Sequence, residues 1–537
     1  MMEVKNYHER TKHRIDRYAE GPGYLDWDTQ PNPYRSFTGA PVTPLPLTSD
    51  ELEATWQEIH QPGAVKPAPI NLNTMGGLFE LSLGLSAWKE YGEARWALRC
   101  NPSSGNLHPT EAYLVSNGTG GIPSGVFHYD CYNHQLELRV SPAGGFPMIP
   151  SGAFLIGVSS IHWREAWKYG ERGYRYSQLD LGHAAAAVRY AAATLGWRAS
   201  IIPDVSDADL ETLLGLNRAD DFKNVEMEHP GFLILIDAIK DGSASFGAES
   251  ARQAAETART GAWHGAANVL SATHAHQWPI IEGVASAAVK PATVETPWSI
   301  PTRVEPVPTF CDEHAAHVIK RRRSAQAFDA ETTMPQESFY RMLDVALPRS
   351  GVPPMDAFPW EPRIHLAIFA HRIEGLKPGL YIFLRRDGAY ARLRAAMRPE
   401  FVWTMPEDIP PHLPLFHLTT ADGQRAARML ACHQQIASDG AFAVGMLSEM
   451  GLCLNEGAWW YRRLFWEAGA IGQALYLEAE TMGLRGAGLG CYFDDAFHDM
   501  LGLKDQTFQS LYHFTVGTAV EDTRLATLPP YGHLSGR

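Results

Sequence analysis

Two long stretches of the chain carry mostly small and apolar residues with polar ones spaced among them. They are YRYSQLDLGHAAAAVRYAAATLGW (174–197) and YRRLFWEAGAIGQALYLEAETMGL (461–484). Both are rich in good helix formers and both reach a glycine near their end, which predicts a long buried helix with a glycine C-cap. At a constant offset of 287 they agree at seven of 24 positions: Tyr174/Tyr461, Arg175/Arg462, Gly182/Gly469, Ala187/Ala474, Ala192/Ala479, Thr194/Thr481 and Gly196/Gly483. The same offset lays LGL at 214–216 on LGL at 501–503. More loosely, GVFHYD (125–130) matches GLYIFL (379–384), and HPTEAYLV (108–115) matches EPRIHLAI (361–368). Each copy reads as a turn, two strands, the long helix, a short strand, a small helix and a final apolar strand. Those last strands are GFLILIDAI (231–239) and SLYHFTVG (510–517). The pattern predicts two similar α+β domains in tandem, packed as the subunits of a dimer would be. The expected divisions are 1–240, with an N-terminal extension over 1–70, a connector rich in Ala, Ser, Gly and Pro over 241–305, and 306–537.

Composition narrows the class. The chain has 537 residues, 45% of them hydrophobic, enough to build large packed cores. Its net charge of −14 argues against nucleic acid as a partner. The longest apolar runs, such as FLILI at 232–236, are too short to span a bilayer. The N-terminus MMEVKNYHERTKHR has no apolar core of a secretory signal, and six scattered cysteines form no CxxC. A cytoplasmic protein without a membrane partner is the expectation. No HExxH, GxSxG or Walker A sequence occurs, and no metal site is expected.

Four stretches carry candidate chemistry. CNPSSGNLHPTEAYLV (100–115) packs serines, a glycine and an asparagine into a turn before a strand, where N–H groups and hydroxyls can meet a polar ring edge. KRRRSAQAF (320–328) is either a solvated basic surface or an anion site in which Arg forks and a Ser hydroxyl grip phosphate. GLRGAGLGCYFDD (483–495) is a glycine-dense loop after a helix. It misses the GxGxxG spacing, but allows close backbone approach to a flat ligand. WREAWKYGERGYRYSQLD (163–180) holds Lys168 and Tyr169, either of which exchanges protons if its pKa is tuned. The same offset gives Asn455 and Glu456, so the second copy lacks this pair.

Taken together, these pieces resemble the nitroreductase superfamily of flavin enzymes, and within it a tandem-duplicated SagB-type dehydrogenase. RRSAQAF is similar to the family's phosphate motif at Arg322, Ser324 and Phe328, with Gln326 in place of the usual basic residue. PSSGNLHPTE is similar to its PSxxNxxPxE turn at Pro102, Ser103, Ser104, Asn106 and Pro109. The helix and glycine loop over 467–495 resemble the family's dimer helix and flavin loop, and KYGERGYRY resembles the Lys-Tyr pair of azoline oxidases. NPYRSF (32–37) is a poor substitute for the phosphate motif in the first copy.

The resemblance implies two nitroreductase-like domains forming an intramolecular pseudo-dimer. It implies FMN as cofactor and two-electron hydride chemistry at flavin N5. Arg322, Ser324 and Gln326 would lie at the phosphate, and Pro102, Ser103, Ser104 and Asn106 at the ring. Gly488, Gly490 and Cys491 would be near N5, and Lys168 and Tyr169 would be the acid–base pair. In this family each site draws its phosphate motif and its PSxxN turn from different subunits. Here the two surviving parts lie in different copies, so they would complete one hybrid site. The substrate would be a small molecule or a peptide-derived azoline, with NAD(P)H or O2 as candidate redox partner. Two alternatives remain: an NAD(P)H-dependent nitro or quinone reductase, and a non-catalytic scaffold subunit of a peptide-modifying complex.

Overall fold

The computed structural model describes residues 1–238, 244–296, 298–303, 306–309 and 311–534. Ile239 at the end of the expected strand, the 240/241 boundary, and residues 241–243, 297 and 304–305 of the expected connector lie outside the described residues.

The first half begins with α1 (Met2–Arg10), α2 (Leu72–Ser82) and a hairpin of β1 (Leu85–Tyr91) and β2 (Ala94–Arg99). Four strands follow: β3 (Thr110–Asn117), β4 (Ser124–Asp130), β5 (Gln135–Ser141) and β6 (Ala153–Ser160). Then come α3 (His162–Tyr169), α4 (Gly173–Thr194), β7 (Arg198–Ile201), α5 (Asp207–Leu214) and β8 (His229–Asp237). Between the halves lie α6 (Ala248–Arg259) and α7 (Pro279–Ala287). The second half opens with α8 (Ala315–Arg321) and α9 (Gln336–Val345). It continues with β9 (Ile364–Ala370), β10 (Gly379–Phe383), β11 (Leu415–Thr420) and β12 (Phe442–Ser448). It ends with α10 (Trp460–Thr481), β13 (Arg485–Leu489), α11 (Asp494–Leu501), β14 (Gln509–Gly517) and β15 (Ala526–Leu528).

The main sheets run β5-β4-β3-β6-β8-β7 and β11-β10-β9-β12-β14-β13. The order is the same, with matching elements in matching places. Short strands at Val42–Pro44 and Ala262–Trp263 extend the first sheet beyond β5. Among the described residues every ladder in these sheets is antiparallel. The fold is α+β. The stretch between the halves is structured: α6 buries Ala251, Ala254, Ala255 and Ala258 in one apolar cluster with Leu210, Leu213 and Leu214 of α5. At the other end, β15 pairs with β1, which ties the C-terminal segment to the first half. Among the described residues no helix is long and apolar enough to cross a membrane.

The helices α4 and α10 pack on each other at the centre, each almost wholly buried, as their apolar sequences require. Gly196 and Gly483 follow them with φ of 68° and 70°, the left-handed caps that glycine allows. At the crossing a Cβ on Gly182 would strike the carbonyl of Trp466, and one on Gly469 would strike the carbonyl of Leu179. The two contacts are reciprocal: each pairs residues of the other shifted by 287. Two buried ion pairs follow the same rule. Arg175 Nη1 lies 2.9 Å from Asp494, and Arg462 Nη1 lies 2.8 Å from Asp207.

Gly182→Ala or Gly469→Ala should therefore destabilise strongly, since backbone rather than a flexible side chain must give way. The expected loss is about 2 kcal/mol or more, measured by denaturant unfolding. Gly283→Ala, which meets open space, is the control and should be within about 0.5 kcal/mol of wild type. Equal stability of all three variants would mean that the crossing is looser than the structure has it.

Candidate functional site

A cavity of about 690 Å³ opens where the two halves meet, within the size range of small-molecule pockets. Pro102, Ser103, Ser104, Asn106 and Tyr169 line it from the first half. Arg322, Ser324, Gln326, Gly488, Gly490 and Cys491 line it from the second. Lys168 stands just behind the wall. Its Nζ would be 3.1 Å from a Cβ on Gly105, and the Tyr169 hydroxyl 2.5 Å from the same point. Gly105 has φ of 60°, so glycine both permits the turn and leaves room for the Lys-Tyr pair.

One end of the cavity is cationic. The basic run at its edge divides in two. Lys320 pairs with Asp50 and Glu80 at 2.9 and 3.2 Å, and Arg321 with Glu313 and Glu480 at 2.6 and 2.8 Å. Arg322 and Arg323 form no ion pair among the described residues. Arg322 is 4% exposed. It donates from Nη2 to the Arg99 carbonyl at 3.0 Å, lies 5.1 Å from the Tyr476 ring centre, and leaves Nε without a partner. Burial lowers its pKa. Burial and the charge of Arg322 bring Arg323 down to about 10, and burial, then Arg323, lowers Lys89. Cations crowded together with too few counter-charges are the expected form of an anion site. Ser324 donates to the Tyr476 hydroxyl at 2.9 Å, and Tyr476 accepts from the Gly488 N–H at 2.9 Å. Arg35, the first-half candidate, is instead saturated: Glu228 sits 3.1 Å away, and the carbonyls of Asn268 and Glu226 accept from it.

At the other end, the 102–106 turn is held from beneath. The Ser104 N–H and Oγ donate to Asp180 at 3.2 Å, Ser103 Oγ donates to Glu165 at 3.4 Å, and Asn106 Nδ2 donates to the Ala97 carbonyl at 2.9 Å. Burial lowers the pKa of Lys168, while Glu165 opposes the shift. Burial raises Tyr169 well above the usual phenol value, so it stays a neutral donor.

The glycine-dense segment is a correction. Arg485–Leu489 forms β13, paired with β14, and is not a loop. A Cβ on Gly488 would strike the Tyr512 hydroxyl, and one on Gly490 the Tyr176 ring. These glycines make room for tyrosines that line the cavity. The Gly490 carbonyl accepts from Tyr176 and from Arg172 Nη2, both at 3.0 Å. The Cys491 thiol is pulled down to about 5, chiefly by the Cys432 thiol, with His13 adding to the effect.

Sequence reasoning missed Lys89, Trp96 and Leu98, which reach the cavity from the β1–β2 hairpin, an element without a counterpart among the described residues of the second half. It also missed His13, Asp180 and His183. An aspartate and a histidine inside an alanine-rich buried helix were the available signal for the last two.

The counterpart place across the helix pair is closed. Ile201, Pro203 and Arg463, at the positions equivalent to Gly488, Gly490 and Tyr176, line a void of about 20 Å³, room for about one water. Residues 290–295 dock beside it, with Lys290 in its wall. Lys290 N–H donates to Asp207 at 2.8 Å, and both Arg463 Nη atoms bond Glu295 at 2.6–2.8 Å.

Residues 89–227 match the nitroreductase family. The chain is 32% identical over 130 residues to the trifolitoxin-processing protein TfxB of Rhizobium leguminosarum bv. trifolii, covering 22% of this chain and 35% of that one. It is 26% identical over 104 residues to MJ1384 of Methanocaldococcus jannaschii, a protein named for its nitroreductase likeness, covering 18% of this chain and 52% of that one. The chain thus spans between a third and about half the length of these curated relatives. A solved nitroreductase-like structure from Anabaena variabilis shares the fold with a TM-score of 0.71 at 20% identity, over 96% of this chain and 99% of that one. The nitroreductase family match thus falls on β3–β6 and α4 of the first half, and the chain shares its fold, through both sheets, with that solved structure.

Proposed function

We propose that the chain is a fused pair of nitroreductase-like domains, 1–240 and 306–537 joined by 241–305, that binds one FMN in the open cavity. The reading continues to a SagB-type dehydrogenase. The observation that carries it is Arg322, a buried arginine with no carboxylate and a free Nε at the end of a cavity of suitable size. These residues fit a phosphate-bearing cofactor. Arg322, Arg323, Ser324 and Lys89 would hold the phosphate, with Gln326 at the rim. The turn at Pro102–Asn106 would hold the ring edge, with Gly488–Cys491 on the facing wall. When bound, FMN supplies a two-electron hydride acceptor at N5.

The chain's own residues then orient substrate and move protons. Lys168, its pKa lowered by burial, takes the substrate proton. Tyr169, held as a neutral phenol, donates a hydrogen bond beside it. This pair is absent at Asn455 and Glu456, where the counterpart place is closed. That coincidence favours a dehydrogenase over a nitro or quinone reductase. The similarity to a toxin-processing protein supports a peptide-derived, azoline-like substrate.

Three outcomes test this reading. Reconstituted protein should release about one FMN per chain, because the counterpart place, with residues 290–295 docked beside it, is closed. Two equivalents would refute the one-site argument, and none would favour a scaffold.

Arg322→Ala should weaken FMN binding by about 1.5–3 kcal/mol, about ten- to a hundredfold by titration. Arg321→Ala should change it little, since Arg321 is committed to Glu313 and Glu480. Equal losses would place the phosphate elsewhere.

Lys168→Ala with FMN still bound should slow oxidation of an azoline about 10²–10⁴-fold. Quinone reduction, which needs no such base, should barely change. If both rates hold, the reductase alternative gains.

A further inference from the structure

Beneath the 102–106 turn lies a carboxyl pair to which the reading above gives no role. Glu165 is fully buried on α3, one turn before Lys168, and Asp180 is 1% exposed on α4. Neither forms an ion pair among the described residues. This is unusual in this chain, where buried acids take basic partners: Glu111 with Arg164, Glu478 with Arg341, and Asp494 with Arg172 and Arg175.

The two carboxyl groups lie side by side under the turn, near enough that, beyond burial, the charge of Asp180 raises the pKa of Glu165. Asp180 accepts from the Ser104 N–H and Oγ. Glu165 accepts only the Ser103 hydroxyl at 3.4 Å, and its Oε2 has no donor although it is buried. An ionised Oε2 would be left unsatisfied there, whereas a protonated one can donate to Asp180. Two adjacent carboxylates deprived of water cannot both ionise cheaply. Burial raises both, Asp180 to about 7. The other titratable groups facing the pair are Lys168 and Tyr169 from α3 and Tyr512 from β14.

The second half offers a comparison. Position 165 corresponds there to Leu452, and position 180 to Glu467, which is paired with Arg385. The unpaired acids occur only in the half that carries Lys168.

We propose that Glu165 and Asp180 share one proton and act as the relay that returns Lys168 to its neutral form. The proposal rests on the reading of Lys168 as the base. When Lys168 removes the proton of a ring C–H bond, that bond's electron pair becomes the ring's new C=C bond as the neighbouring carbon gives up a hydride to the two-electron acceptor, and Lys168 becomes an ammonium ion. The pair, holding one proton and one negative charge, accepts the ammonium proton. Lys168 is again an amine, and the pair is neutral with two protons. Asp180, which lines the cavity, then releases one proton to the water there. No electrons move in this transfer.

The pair can be tested without flavin. In the flavin-free protein near neutral pH, infrared spectra should show the carbonyl stretch of a protonated carboxylic acid, absent from the Glu165→Gln/Asp180→Asn double variant. In Asp180→Asn alone, Glu165 loses its like-charged neighbour but keeps Lys168, so the band should titrate at lower pH. No band at neutral pH, or the same band in the double variant, would overturn proton sharing.

In the FMN-loaded protein with an azoline, Asp180→Asn should slow steady-state turnover about tenfold more than the first turnover, because only the reset step is impaired. Equal slowing would overturn the relay. A band present in protein that never binds FMN would sink the cofactor reading and leave the shared proton standing.

Discussion

The structure depends on two helices crossing with no side chain between them. At Gly182 and Gly469 the backbone of each helix rests against the other's carbonyl. Ordinary helix pairs keep their axes apart by the width of the side chains at the contact. Here that width is removed. The face of α4 carrying Tyr176, Asp180 and His183 therefore reaches the same cavity as Tyr476 of α10 and Tyr512 of β14. His183 bonds Gln473 and Tyr512 across the contact, at 3.3 and 3.2 Å. The pairs Arg175–Asp494 and Arg462–Asp207 fix the rotation of one helix about the other. The site is a property of the crossing, since neither half holds both its cationic end and its turn.

Charge is distributed by the same logic. Taking an ion out of water is expensive unless it is paired, and most of the buried arginines have a carboxylate. Arg322 and Arg323 do not, and they lie at one end of the cavity. At the other end Glu165 and Asp180 lack cations. The two unpaired sets sit on opposite halves and do not neutralise each other. Both destabilise the empty fold. The first is relieved by an anion, the second by a proton.

What could be read from the sequence divides along contact range. The long helices were legible because their composition and glycine caps act locally, and the offset of 287 exposed their kinship. The turn at 102–106 and the Arg322–Ser324 part of KRRRS were legible as residue types, and they face one cavity. The motif register singled out Arg322 over Arg321, but the physical cause, Arg321 held by Glu480 and Arg322 set on the Arg99 carbonyl, was not legible because those partners are distant in sequence. The glycines of β13 misled for the same reason. Their partners, Tyr512 and Tyr176, are set by β-register and by the helix crossing, so strand glycines read as a loop for ligand approach. The antiparallel order of both sheets likewise rests on long-range pairing that alternation alone does not reveal.

The two sides of the crossing have matching scaffolds and differ at a few positions with large volume effects. Glycine at 488 and 490 leaves space that tyrosine side chains enter without filling. Isoleucine at 201 and proline at 203 fill the equivalent space themselves. Tyr176, which presents a neutral hydroxyl to the open side, is matched by Arg463, whose charge demands a counter-ion and finds it in Glu295. Once Arg463 is buried, the segment carrying Glu295 must dock over it, and docking brings Lys290 onto Asp207. Closing one side therefore needs no change in the crossing itself. One side can thus be filled at little expense to the other, because the helix contact between them is indifferent to which side is filled.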